Sequence, residues 1–273
     1  QIKNLIDSIL IGNYSPEPLK KIEIKKEDGI EKRPIALSSI KDKLVQRVLY
    51  KALNEYFDDK FSNKSYAYRK NKSTIKAINR VSQLIQEGNI YILKTDIDNF
   101  FETINHEKLL KILDKQISDR SITRLISLFL QTGGFKNFDY QEHDNGVHQG
   151  DILSPLLSNI YLDNMDKWLE KNNILFIRYA DDFVILNKNE NELKSIKDNL
   201  EIFLSTLDLK LGSDKTYITS IKDGFNFLGI HFKGKQKIVN NNQVELPDNW
   251  LKDLYPWEFR RTDKAVEVHL KGH

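Results

Sequence analysis

Two aspartates stand side by side inside a run that is otherwise apolar. Ile174-Leu175-Phe176-Ile177-Arg178-Tyr179-Ala180 precedes Asp181-Asp182, and Phe183-Val184-Ile185-Leu186 follows. A single buried strand cannot carry this pattern, because adjacent carboxylates repel and are costly to bury unpaired. The run therefore reads as two antiparallel strands, 174–180 and 183–187, with the aspartates at the tip between them. Two readings of the tip stand. Aspartate is a common turn residue, so the pair can be turn chemistry alone; or it belongs to a site that holds divalent metal.

The rest of the chain supplies elements for this hairpin to pack against. Leu44, Val45, Val48, Leu49, Ala52, Leu53, Tyr56 and Phe57 recur at helical spacing and predict a helix over 41–58. "NIYILKTDIDNFF" (89–101) opens as a short strand that ends near Asp96. Residues 105–116 and 121–131 read as helices and are followed by the break Gly133-Gly134. Ser154 as N-cap and Pro155 at the first helical position start a helix over 154–169. Leu193, Ile196, Leu200, Leu204 and Leu207 share one face of a helix over 191–207. Residues 215–220 and 225–232 read as strands. Helices packed on one face of a small antiparallel sheet make an α+β domain, and 273 residues, 40% of them hydrophobic, suffice for its core.

With no cysteine in the chain, disulfides, thiolate zinc sites and cysteine nucleophiles are excluded together. No apolar run is long enough to span a bilayer and no signal peptide is visible, so a cytoplasmic protein without a membrane partner is expected. The Asn-x-Ser matches at Asn63 and Asn71 read as chance. An initial Gln in place of Met leads us to expect a piece of a longer product. Charge is unevenly spread: residues 1–80 carry 18 Lys and Arg against 10 Asp and Glu, and the remainder 24 against 29. A basic front and an acidic back suit a protein that grips polyphosphate and presents carboxylates elsewhere.

Asp96 gives the aspartate pair company. Neighbouring strand ends of one sheet can bring all three carboxylates together, where they repel unless hard cations neutralise them. Mg²⁺ takes oxygen ligands and keeps positions open for phosphates, and a pair of such ions clamps both oxygens of an in-line phosphoryl displacement.

Taken with "LKTDIDNFF" upstream and "GVHQGDILSPLLSNIYLD" between, "YADD" resembles the reverse transcriptases, in the bacterial branch related to group II intron-encoded and CRISPR-associated enzymes. The resemblance runs from "RPIALSSIKDKLVQRVL" (33–49) through "SYAYRKNKSTIKAI" (65–78) to "DKTYI" and "FLGIHF". It implies a right-handed polymerase: basic fingers over 1–89, a palm with a ferredoxin-like antiparallel sheet over 90–233, and a tail over 234–273 that is a partial thumb or a connection. The implied activity is RNA-directed DNA polymerisation, with dNTPs added to a primer 3′-hydroxyl (DNA or RNA) on an RNA template. Two Mg²⁺, replaceable by Mn²⁺, are the implied cofactors.

The family's roles transfer by position. Asp96, Asp181 and Asp182 match the catalytic metal-binding aspartates, and Ile97 matches the residue whose carbonyl meets the nucleotide-bound metal. Phe101 falls where an aromatic blocks a ribose 2′-hydroxyl; its alternative is core packing, which Phe100 beside it is expected to do. Gln149 and Gly150 match the pair beside the nascent base pair. Arg69, with Lys64, Lys70 or Lys72 nearby, fits the segment that binds triphosphate. Lys215 stands where polymerases place a cation near the leaving pyrophosphate, and Asp98 reads as a solvent-facing neighbour of Asp96. The chain departs from the pattern at His148, in place of proline, and at Asp151, in place of a small residue. His148 reads as a loop histidine without a partner.

Other readings are an RNA-dependent RNA polymerase, an inactive nucleic-acid-binding scaffold, and a template-independent or protein-primed polymerase of antiviral defence. Pro247 and Pro256 interrupt a helical thumb, and Trp250, Tyr255, Trp257 and Phe259 crowd one segment that suits packing against another domain. A fused or associated integrase or maturase domain is therefore expected.

Overall fold

The structure, a computed structural model, describes residues 2–25, 32–136 and 138–234. It also gives the backbone of four short strands beyond them, Gln236–Val239, Asn242–Val244, Phe259–Thr262 and Ala265–Val268. In chain order the elements are α1 (Ile2–Leu10), the antiparallel pair β1 (Leu19–Lys25) and β2 (Lys32–Leu37), α2 (Ile40–Phe57) and α3 (Thr74–Gln86). Then come β3 (Tyr91–Thr95), the single turn α4 (Phe100–Thr103), α5 (His106–Gln116), α6 (Arg120–Gln131), β4 (Gly134–Lys136) and β5 (Asp139–Gln141). They are followed by α7 (Ser154–Lys171), β6 (Leu175–Tyr179), β7 (Asp182–Asn187), α8 (Glu190–Thr206), β8 (Tyr217–Ser220), β9 (Phe225–Phe227) and β10 (Ile230–Lys233).

The expected hairpin forms, and it joins a four-stranded antiparallel sheet in the order β6-β7-β3-β8. The chain thus runs strand, helices, strand, strand, helix, strand, with the first strand between the third and fourth, which is the ferredoxin-like topology. Both faces of the sheet are covered. Leu93, Phe176, Phe183 and Ile185 point into a core shared with α2, α5, α6, α7 and α8. Their neighbours Ile92, Ile177, Val184 and Leu186 point into a second core with Ala77, Ile78, Val81 and Leu84 of α3 and Phe225, Phe227 and Phe232 of β9 and β10. A strand buried on both faces loses the polar alternation of a half-exposed one. Hence the continuous apolar run around the aspartates.

Two expectations change, and one helix is added. Residues 225–232 form a hairpin and not one strand, because Leu228 and Gly229 both take positive φ (52° and 78°) and turn the chain back on itself. Ser154 is not the cap of α7: Leu153 holds that place, and the Ser154 hydroxyl donates to the His148 carbonyl at 2.7 Å, tying the helix to the preceding loop. Helix α3 is an addition. Ser73 caps it, accepting from the Lys76 amide at 3.2 Å.

A second sheet, β2-β1-β4-β5, lies at the basic front. Its β4 pairs in parallel with β1 at Leu19 and Lys20, so β4 and β5 sit with β1 and β2 and not with the sheet of the aspartates. Among the described residues no helix is long and apolar enough to cross a membrane. The tail aromatics Trp250, Tyr255 and Trp257, and the side chain of Phe259, lie outside the described residues.

Candidate active site

Tyr179 pairs with Asp182, leaving Ala180 and Asp181 as the two central residues of the turn. Ala180 has φ +59°. Positive φ lets a two-residue turn follow the twist of its strands, and for alanine it costs about 1–2 kcal/mol. On the other side of β7, the last ladder pair of β3 is Thr95 with Phe183, so the residue that follows β3, Asp96, comes level with Asp182. The Ile97 amide donates to the Asp181 carbonyl at 3.3 Å and continues the ladder past the turn. The three aspartates expected to act together thus meet at one end of the strands, between β7 and β3.

Two lysines compensate them. Lys215 Nζ donates to Asp96 Oδ2 at 2.7 Å, and Lys94 Nζ donates to Asp182 Oδ1. Burial pushes the Asp181 carboxyl above the usual range, and the neighbouring Asp96 charge adds to this. Burial also raises Asp182, with Lys94 opposing it. The bond to Asp96 raises the Lys215 ammonium. Lys215 reaches the site on a loop fixed by Gly212, whose amide donates to the Asp96 carbonyl at 3.0 Å. A Cβ at Gly212 would stand 2.2 Å from Asp96 Oδ1, so no larger residue fits without moving that carboxylate. Asp98 is exposed, and Ile97 buries its side chain and meets the site through its backbone.

Among the described residues no group of three or more His, Cys, Asp or Glu is already arranged as a metal cluster. The donors nonetheless fit a hard dication in kind: Asp96, Asp181 and Asp182 are all oxygen ligands, half-buried or buried, mutually repelling and held by cations.

Around the aspartates the loops are tightly set. Phe100 is buried in the core, while Phe101 stays half-exposed with its ring tilted 66° to that of Phe100. The Phe101 carbonyl accepts from the Val147 amide at 2.6 Å, which ties α4 to the loop leading to Gln149. The Gln149 carbonyl accepts from the Ala36 amide at 2.8 Å. Gly150 has φ +107°, and a Cβ there would meet Ala36 O at 2.9 Å. Asp151 is buried against Ser38 Oγ, which fixes this loop to the start of α2.

Arg69 lines a cleft with Lys70 and Lys72. Its guanidinium turns inward, with Nε on Asp58 Oδ1 at 2.9 Å, Nη1 on the carbonyls of Ser62 and Ser65, and Nη2 on the Asp58 carbonyl. Lys64 and Lys72 bond to the carbonyls of Ile174 and Asn63. The exposed cations on this cleft of about 580 Å³, lined also by Tyr50, Tyr66 and Tyr179, are Lys70 and Arg47.

His148 does have partners. Its Nε2 bonds to the Thr132 carbonyl at 2.9 Å and its ring stacks on His143 at 3.7 Å, with His106 next at 5.4 Å. Burial lowers all three imidazoles, His148 to about 3. Because a lowered histidine binds fewer protons folded than unfolded, stability is full above about pH 6.5 and is lost as pH falls below it. We expect the urea midpoint to fall between pH 7 and 5, with about 2 kcal/mol lost through His148 alone. His148→Gln should flatten that slope; an unchanged slope would show that His148 does not contribute to it.

Sequence reasoning passed over Lys94, Gly212 and the buried Arg178. Lys94 carried a signal, since it lies two residues before Asp96 on the same face of a strand. Arg178 carried another, because a lone arginine in a buried strand needs a buried acid. Asp166 is that acid.

A family model described as "Reverse transcriptase (RNA-dependent DNA polymerase)" matches residues 24–232. A carbohydrate phosphorylase model also matches residues 226–273, well under half the chain, and supports no activity here. Protein YkfC of Escherichia coli (strain K12) is 29% identical, over 84% of this chain and 70% of its own length. The group II intron-encoded protein LtrA of Lactococcus lactis subsp. cremoris is 26% identical, over 84% of this chain and 49% of its own, so the chain spans about half of that relative. Among solved structures, telomerase from Candida albicans, in complex with a fragment of telomeric RNA, is similar with a TM-score of 0.64 at 16% identity. That match covers 87% of this chain and 48% of the other, and it supports the fold alone.

Proposed function

The chain belongs to the reverse transcriptase (RNA-dependent DNA polymerase) family, and from that premise we propose that it extends a primer 3′-hydroxyl with dNTPs along an RNA template, at Asp96, Asp181 and Asp182. The meeting of these three carboxylates at the tip of β6 and β7 carries the reading. Reverse transcriptases use divalent metal ions. In this chain Asp96, Asp181, Asp182 and the Ile97 carbonyl would hold two Mg²⁺, or Mn²⁺ in substitution, which supply charge neutralisation at the attacking and leaving oxygens. Lys94 and Lys215, which hold Asp182 and Asp96 here, would give up those bonds to admit the ions.

The chain's own part is positioning and electrostatics, which dominate phosphoryl transfer. Gln149 and Gly150, fixed against Ala36, flank the nascent base pair. Phe101 lies against the sugar. Lys215, freed from Asp96, faces the departing pyrophosphate. Lys70 and Arg47 meet the triphosphate, while Arg69 holds the loop that presents Lys70. Fingers over residues 1–89 and a palm over 90–233 are the matching division, with β4 and β5 packed on the fingers.

Primer extension on RNA and DNA templates, each with dNTPs or rNTPs in Mg²⁺, tests the reading. RNA-templated dNTP addition is the expected product. No addition on an RNA template, or a preference for rNTPs, would overturn it.

A further inference from the structure

A fully buried charge pair lies directly beneath the turn that carries Asp181 and Asp182. Arg178 and Asp166 both have 0% of their side chains exposed. Arg178 Nε donates to Asp166 Oδ1 at 2.8 Å and Nη2 to Oδ2 at 2.5 Å, a bidentate pair with helix α7. Its remaining nitrogen, Nη1, donates to Asn159 Oδ1 at 3.1 Å and to the carbonyl of Ala180 at 2.9 Å. One guanidinium thus joins a helix to the central peptide of the turn that carries Asp181 and Asp182. The backbone of Arg178 reaches the other way. Its amide donates to the Lys64 carbonyl and its carbonyl accepts from the Tyr66 amide, both at 2.9 Å. Asn159 Nδ2 adds a bond to the Ala67 carbonyl at 2.9 Å.

We propose that Arg178, held by Asp166 and Asn159, is a positioning residue that fixes the backbone of the Asp181-Asp182 turn, from which both carboxylates are presented to metal, and couples it to the loop 64–72. The inference rests on the polymerase reading of the turn. Two features support it. Ala180 sits at a positive φ that alanine disfavours, so the turn needs an outside hold to keep one conformation. The rigid, planar fork of arginine also does what a point charge cannot: it grips a carboxylate with one edge and a carbonyl with the other.

Removing one partner leaves a buried charge unpaired, so single apolar changes are poor tests. Arg178→Met combined with Asp166→Leu removes the charge pair and the hold on Ala180 together. Arg178→Lys keeps the buried charge opposite Asp166, and so the fold, yet cannot reach both partners. Both are compared with wild type in thermal midpoint, primer–template affinity, kcat for dNTP addition, and Mn²⁺ affinity measured by electron paramagnetic resonance without nucleotide. We expect kcat to fall about tenfold to hundredfold, the scale of a small misplacement of reacting groups. Mn²⁺ binding should weaken several-fold, with primer–template affinity unchanged. Wild-type Mn²⁺ affinity in either folded variant overturns the proposal, whatever its activity. Wild-type protein that binds Mn²⁺ but adds no nucleotide fails the polymerase reading instead, and the clamp is then judged on Mn²⁺ affinity alone.

Discussion

Asp96→Asn, Asp181→Asn and Asp182→Asn should each lower nucleotide incorporation in Mg²⁺ about a thousandfold or more, the scale of losing a preorganised electrostatic contact at a reacting phosphate. The stability effects should differ, and in a way that the geometry sets. Asp181 is raised by burial and by the Asp96 charge, so neutralising it removes repulsion and should leave the thermal midpoint equal or higher. Asp182 is paired with Lys94, whose side chain is only 11% exposed. Asp182→Asn leaves that ammonium with a neutral partner and should lower the midpoint. Asp96 pairs with Lys215, which is 72% exposed and rehydrates freely. Asp96→Asn should therefore be close to neutral. Differential scanning fluorimetry in EDTA, beside single-nucleotide extension, reads both effects. Wild-type extension by any of the three would remove that aspartate from the site.

Fold class was legible because the aspartate pair breaks a run that is otherwise apolar, and only a hairpin resolves the break. Helices α2 and α8 followed from periodicity and α7 from the proline at its start, signals that local sequence carries. What local sequence did not carry is register. The alignment of Thr95 with Phe183 sets Asp96 level with Asp182, and it depends on packing across the whole sheet. For the same reason the parallel contact of β4 with β1 could not be read from residues 134–141 alone. Arg69 shows a different limit. An arginine in a lysine-rich segment looks free for phosphate, but four of its contacts close inward, to Asp58 and the carbonyls of residues 58, 62 and 65. The partners of His148 are likewise distant in sequence, at Thr132 and His143. Gly212 was hidden because glycine in a loop has many uses, and only the closeness of Asp96 singles this one out.

Phe101→Ala should raise the ratio of rNTP to dNTP kcat/KM, with dNTP addition itself little changed. The two phenylalanines of α4 divide the work by depth. Phe100 is 2% exposed and belongs to the core; its truncation should cost about 3–5 kcal/mol of stability. Phe101 is half-exposed, tilted against Phe100 at 5.7 Å between ring centres. Its backbone is held at the carbonyl by Val147, two residues before Gln149. The ring therefore has a fixed origin and a free face, as a steric block requires. Truncation opens space that only the extra hydroxyl of a ribonucleotide uses, so the change falls on one substrate and not the other. Pocket contacts of this size discriminate about tenfold to hundredfold, which sets the expected rise in the ratio. Phe101→Tyr, which keeps the ring, should keep the ratio near wild type. Single-nucleotide kinetics with matched dNTP and rNTP, alongside urea midpoints for Phe100→Ala and Phe101→Ala, separate the two roles. An unchanged ratio together with a midpoint as low as that of Phe100→Ala would make Phe101 a packing residue, and the discrimination against ribose would then lie elsewhere along the cleft.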